Sequence, residues 1–369
     1  LLSVLLFAVF FFYLYPAFKS VPEKQPNNED SQSSEDVGLK ESATGHFNEG
    51  DYSKALEIFK QVKDKNAKVL AGMGISHFKL GDYDNAIIYL EQSKALSHSL
   101  RTNDNFLASK FLAFAYYLRD DFDRGISNAE AGLAIKNDPE LEDLSIKIVR
   151  DKKSRGNFIK TSSLNFKVVF DGATNVEIGH KAMRILEEAR WEIGNKLGYS
   201  PVNTITVILY TEKDFRDVTD LPLWAGGVYD YDGKIRVPVK GIDKENPETL
   251  RRIIFHEYTH ALVHSITSAC PLWFNEGLAE YFSIGPSAKM GPSLSLDSLE
   301  KSFPSERSEA VKAYNVSRFA VTRIIGKSGF FAVKGFLFEL SKGVPLEQAF
   351  KTAFFMEYNE FCSKMGGTP

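Results

Sequence analysis

The spacing of apolar residues changes several times along the chain, and each change marks a segment. Leu1 to Phe18 is apolar almost throughout, carries no charge, and has Ser3, Tyr13 and Tyr15 as its polar groups. As a helix it would span about 27 Å, close to the thickness of a bilayer core. It is expected to be an uncleaved membrane anchor, with a cleaved secretory signal as the alternative. No Ala-x-Ala site precedes Lys19, which favours the anchor. Residues 19–40 (KSVPEKQPNNEDSQSSEDVGLK) are polar, acidic and free of aromatics, which predicts a flexible linker.

From residue 41 to 153 the spacing becomes helical and repeats. Gly50-Asp51-Tyr52 with Ala55 and Phe59 recurs as Gly81-Asp82-Tyr83 with Ala86 and Leu90. A weaker third copy is Asp120-Asp121-Phe122 with Gly125 and Ala129. The pattern predicts stacked helix pairs that share one core, with small residues where helices approach. Asn137-Asp138-Pro139 starts an expected capping helix running to about Lys153. Such an array offers a concave surface to a peptide or partner protein, or serves as a spacer from the membrane.

Beyond it, alternation and helical periodicity mix, and an α+β unit is predicted. Its start is expected near Ser163. Leu164–Phe170 and Thr204–Tyr210 read as strands, and Val176–Leu197 as a helix. Leu223–Val239 reads as a hairpin with Asp232-Gly233 at its turn. Asn246-Pro247 opens a helix to about Thr267, and Pro271 opens another that Gly285 and Pro286 end. After residue 305 three helices are expected: Glu306–Ile325, Phe330–Ser341 and Leu346–Phe355.

Composition adds little beyond class. The chain of 369 residues is 43% hydrophobic and 25% charged, ordinary for a globular protein and long enough for two domains. A net charge of −3 without a basic stripe argues against nucleic acid as a partner. Two cysteines, Cys270 and Cys362, make no disulfide framework and are expected as buried free thiols.

The chemistry lies in Phe255-His256-Glu257-Tyr258-Thr259-His260-Ala261. On a helix His256 and His260 share a face, so their imidazoles can hold one zinc ion. Glu257 then points beside the metal, where a general base for water must sit. Glu276 and Glu280, four apart on the next helix, also face one way. Gly277 is expected to let these two helices approach. A third histidine six residues after His260 would indicate a metzincin, but Ile266 stands there. His264, one turn beyond His260, reads as a substrate-side group or an ordinary polar residue.

The stretch Trp273-Phe274-Asn275-Glu276-Gly277-Leu278-Ala279-Glu280-Tyr281-Phe282 resembles the second zinc helix of gluzincin metallopeptidases. The closer resemblance is to the bacterial peptidase MA-like family, in which this module often follows tetratricopeptide repeats. It covers residues 160–369. The interval from His260 to Glu276 is shorter than in the larger gluzincins, so the connecting turn must be tighter.

The resemblance implies a zincin-like catalytic domain and one Zn2+ per chain. His256, His260 and Glu276 would be its ligands, and Glu280 would support a zinc histidine from behind. It also implies that Tyr314 donates to the tetrahedral intermediate, and that an edge strand within Ala225–Val239 pairs with extended substrate. The Gly-x-Met-Glu-Asn segment of zinc aminopeptidases is missing, which leaves endopeptidase as the expected activity. The implied protein is a membrane-tethered protease of the cell envelope, or a secreted one after signal cleavage. The alternatives are a catalytically silent repeat scaffold that binds metal, and hydrolysis of a non-peptide amide.

Overall fold

The computed structural model describes residues 31–97, 102–156, 158–171, 176–219, 221, 226–230, 233–239, 247–288 and 294–366. The apolar segment 1–18, residues 19–30 of the linker, Asp232 and Asn246 lie outside the described residues. The chain divides into two compact units, one ending at Lys153 and the other continuing from Ser154. Among the described residues no helix is long and apolar enough to cross a membrane.

The first unit is helical: α1 (Ser31–Asn48), α2 (Tyr52–Gln61), α3 (Ala67–Lys79), α4 (Tyr83–Leu96), α5 (Asn103–Leu118), α6 (Phe122–Leu133) and α7 (Pro139–Ser154). Three helix pairs close with the same turn. Gly50, Gly81 and Asp120 take left-handed backbone at φ 83°, 79° and 62°. The following Asp51, Asp82 and Asp121 each donate their N–H back to the preceding helix, at His46, His77 and Tyr116. Their side chains accept from Lys54, Asn85 and Arg124 and so cap the next helix. One aspartate thus stops one helix and starts another. Asp120 stands where the other copies have glycine, which is why the third copy reads as degenerate. Buried Lys110 of α5 pairs with Asp138 at 3.0 Å and Glu140 at 2.6 Å, tying α7 to the array.

The linker expectation needs correcting over its second half. Residues 31–40 belong to α1, and Asp36 accepts from the backbone N–H of Lys63 and Asp64, at 3.0 and 2.9 Å. The apolar contacts of α1, Ala43 and Phe47, lie in its C-terminal half. The helix continues N-terminally from there through polar sequence.

The second unit pairs a small mixed sheet with helices. Its strands are β1 (Phe158–Ser162), β2 (Phe166–Asp171), β3 (Ile205–Tyr210), β4 (Val228–Tyr229) and β5 (Lys234–Pro238). The order is β1-β2-β3-β5-β4; β2, β3 and β5 run parallel, and β1 and β4 are antiparallel edges. Helix α8 (Val176–Leu197) crosses between the parallel strands β2 and β3.

Alternation sorts the sheet's faces. Phe166, Val168, Phe170, Val207, Leu209, Ile235 and Val237 enter the main core with α8 and the helix α10 (Pro247–Ile266). Val169, Ile208 and Tyr210 face the other way, onto Phe215 and Val218 of α9 (Glu212–Thr219). Helix α11 (Leu272–Ile284) follows α10. Helix α12 (Arg307–Ser341) is broken at Gly329 (φ 73°, ψ 172°), and α13 (Leu346–Phe354) and α14 (Tyr358–Gly366) finish the unit.

Three elements are additions to the sequence reading. Strand β1 moves the start of the sheet ahead of Ser163; it is mostly exposed and so lacks apolar alternation. Helix α9 is short, but Thr211 and Asp214 cap it reciprocally, with Oγ1 accepting from the Asp214 N–H at 3.2 Å and donating to its Oδ2 at 2.7 Å. Helix α14 bears on the site described next. Both cysteines are free; Cys362 is buried and Cys270 half-buried.

Candidate metal centre

Helix α10 presents His256 and His260 one turn apart, and their rings meet edge to face with centroids 4.7 Å apart. Helix α11 brings Glu276 between them, with Oε2 3.4 Å from Nε2 of each histidine. One ligand atom from each of the three lies within 4.8 Å of the others.

The other ring nitrogens are engaged. His260 Nδ1 is 3.0 Å from Asn275 Oδ1, and His256 Nδ1 is 3.3 Å from Glu280 Oε1. Both partners only accept, so each Nδ1 carries a proton and Nε2, the atom facing Glu276, is the one left for a metal. Glu280 therefore lies behind His256 rather than among the converging atoms. The role of Asn275 was missed from sequence; its place directly before Glu276 was the available signal.

Charge decides what fits the centre. Glu257, Glu276 and Glu280 sit together in a largely buried site, and among the described residues no lysine or arginine pairs with them. Glu276 Oε2 is buried without a hydrogen bond of ordinary length. Without a metal, protons taken up on the two imidazoles offset the charge of this buried carboxylate. A divalent cation at the meeting point satisfies all three atoms, so the residues fit a metal.

Protonation shifts report the same field. Burial lowers the His256 pKa, but Glu276, Glu280 and Glu257 more than reverse this and hold it well above its usual value. His260 is raised for the same reasons, chiefly against burial by Glu276. Burial pushes Glu276 up, but His260 and His256 hold it well below the carboxylate range. Burial dominates at Glu257 and raises its pKa, despite both histidines.

Glu257 is held from the sheet edge. Its carboxylate accepts from the backbone N–H of Tyr229 in β4. Gly227, just before that strand, packs so close that a Cβ there would lie 3.0 Å from Glu257 Oε1 and 2.9 Å from Ile253 Cγ2. The Gly226-Gly227 pair thus marks where edge backbone passes over the proposed base. Tyr314 of α12 turns its ring edge to His256 at 6.3 Å and rests on Phe303 at 5.2 Å. The charges of Glu276, then burial, then Glu257 and Glu280 raise its pKa and keep the hydroxyl protonated. His264 is exposed, its ring 5.6 Å from that of Tyr229, and it is not one of the converging ligands.

Two contacts hold α11 in place. Gly277 does not face α10, as expected from sequence, but α12: a Cβ would lie 2.4 Å from the Ser317 carbonyl oxygen and 2.6 Å from Val321 Cγ2. At the start of α11, Trp273 Nε1 donates to the Tyr358 hydroxyl at 3.0 Å, and that hydroxyl donates to Glu300 at 3.2 Å. Helix α14 thereby anchors the helix that carries Glu276.

No protein-family model matches the chain, and no curated protein matches it either.

Proposed function

We propose that the unit beginning at Ser154 is a zinc-dependent peptide hydrolase of the gluzincin kind. The helix pairs before it are, in this reading, tetratricopeptide-type repeats that dock substrate or partner. Residues 1–18 tether the chain to a membrane, with the hydrolase outside the cytoplasm. The observation that carries the proposal is the convergence of His256, His260 and Glu276 beside a buried, separately held Glu257.

Two imidazoles and one carboxylate are a donor set of catalytic zinc. When bound, zinc polarises a scissile carbonyl and lowers the pKa of water towards about 7. His256 and His260 would hold it through Nε2 and Glu276 through Oε2, while Asn275 and Glu280 fix the imidazoles. Glu257 would take the proton of the attacking water and return it to the leaving amine. A raised pKa suits a group that must hold that proton between the two transfers. The Tyr229 N–H keeps the carboxylate aimed. Tyr314, kept neutral by three carboxylates, would donate to the developing oxyanion.

The edge strand β4 supports a peptide as the substrate. It pairs with β5 on one side and lies next to Glu257, so an extended peptide could add to its outer side as a further strand. With no Gly-x-Met-Glu-Asn amine anchor before His256, internal bonds are the proposed target.

The test is metal analysis and peptide-library cleavage on one preparation. About one zinc per chain with cleavage, and loss of both in His256→Ala and His260→Ala, is the expected result. Metal retained in both variants would remove the proposed centre. Zinc bound without cleavage would leave a binding scaffold.

A further inference from the structure

Helix α10 carries a third histidine, His264, that the metal centre does not use. Ile253, Glu257, His260 and His264 follow one another at spacings of three and four, so they share a face. Edge strand β4 runs along that face. Gly227 packs on Ile253 and Glu257, the Tyr229 N–H donates to Glu257, and the Tyr229 ring meets the His264 ring at 5.6 Å, tilted by 60°. The contacts advance together, from 227 to 229 on the strand and from 253 to 264 on the helix. The sheet sets the direction of Tyr229. Val228 packs on the α9 side, and Tyr229 on the main core with α10. The Asp230 N–H donates to the Lys234 carbonyl of β5 at 2.9 Å, so by alternation the N–H and C=O of Tyr229 point away from β5. Glu257 takes that N–H, and the carbonyl faces the same outer side.

An extended peptide laid along this edge alternates its side chains between the same two faces. The residue that comes to lie beside Tyr229 would set its Cβ about 4.5–5.5 Å away, on the face that His264 also borders. Two rings tilted against each other then form two walls around that side chain. Their chemistry narrows the occupant. Surrounding protein lowers the His264 pKa by desolvation, so the ring is neutral at neutral pH. It offers no positive charge to an acidic side chain. An aromatic side chain can stack on one ring while it meets the other edge-on, and aromatic neighbours across strands are a favoured pairing.

We propose that Tyr229 and His264 form a subsite that selects an aromatic side chain of the substrate. The proposal rests on the reading of β4 as the peptide edge of a hydrolase, and it makes His264 a specificity-determining residue of that site.

The test reads binding and cleavage separately. The probes are fluorescein-labelled dodecapeptides of serine and threonine with one central Phe, Ala, Lys or Glu. Anisotropy is measured on the full chain treated with chelator, so that no peptide is cut. The Phe peptide should bind roughly 2–10-fold more tightly than the Ala peptide, the range expected of an aromatic pair. His264→Ala should bring that ratio close to one. His264→Phe should restore it, which a general loss of fold would not allow. Equal or unmeasurable binding of the four peptides would overturn the proposal. So would tightest binding of the Lys or Glu peptide, or a Phe preference that survives in His264→Ala. Cleavage is then read after zinc is restored. A Phe peptide bound through His264 but left intact would remove the hydrolase reading and keep the subsite. Cleavage without any His264-dependent preference would remove the subsite and keep the hydrolase.

Discussion

Replacing Gly277 with alanine tests how the carboxylate helix is held. The new Cβ would lie 2.4 Å from the Ser317 carbonyl oxygen, 2.8 Å from its carbon and 2.6 Å from Val321 Cγ2. Ordinary contact begins near 3.4 Å, so α11 and α12 must part by about 1.0 Å (3.4 − 2.4). The obstacle is mainly backbone, and no rotamer change relieves it. Overpacking of this kind costs roughly 1–3 kcal/mol, against about 1 kcal/mol gained from the helix preference of alanine. A net loss of up to about 2 kcal/mol is expected in thermal or urea unfolding. The larger effect should fall on the metal. Glu276 is the adjacent residue on α11, and its Oε2 is 3.4 Å from both imidazoles. Supporting contacts of a metal site are typically worth about 10–100-fold in affinity, and a comparable loss is expected in chelator competition. A Gly277→Ala chain with parental stability and parental zinc affinity would refute the close helix contact and its link to Glu276.

Three further outcomes are expected, two at the metal centre and one at a turn of the helical repeats. In metal analysis Glu276→Gln should lose more zinc than Glu280→Gln, because Glu280 touches only the far side of His256; the reverse order would exchange their roles. Zinc should stabilise the protein more at about pH 8 than at pH 6, read as the shift in melting temperature, because binding must displace protons from histidines whose pKa values are raised. The sign for the metal-free chain is opposite. His256 contributes stability at low pH and loses it as pH rises through its raised pKa, so equal zinc effects at both pH values would contradict this field. Gly81→Ala meets no atom within 4 Å, so its cost is conformational alone. It should lower stability by about 1–2 kcal/mol, and no change in unfolding midpoint would argue against the left-handed turn.

Much of this was legible in the sequence because local chemistry and tertiary structure agree. The aspartate caps after Gly50 and Gly81 mark helix boundaries directly, and alternation in β2 and β3 separates two buried faces. His256 and His260 could be nominated because helical spacing brings them to one face, and Glu257 because it follows the first of them, whereas the ligand role of Glu276 came from the resemblance of its stretch to a known zinc helix. What was hidden depends on contacts distant in sequence. Nothing around Gly277 says that its neighbour is Ser317 rather than α10. The Trp273–Tyr358–Glu300 chain spans 85 residues, so the anchoring function of α14 has no local signature. Strand β1 is an exposed edge, and α1 extends through polar sequence, so neither shows an apolar period before folding.

The central claim is that Glu257 moves protons for a hydrolysis carried out at the His256–His260–Glu276 centre. Its most direct test is peptide cleavage per bound zinc in Glu257→Gln beside the parent chain. The substitution keeps the size of the side chain and touches none of the three converging ligand atoms. Zinc should therefore remain near one per chain. Cleavage should fall at least about 10²-fold, since general acid–base groups contribute roughly 10²–10⁴ and one group serves both transfers here. An unchanged rate with zinc in place would contradict the account.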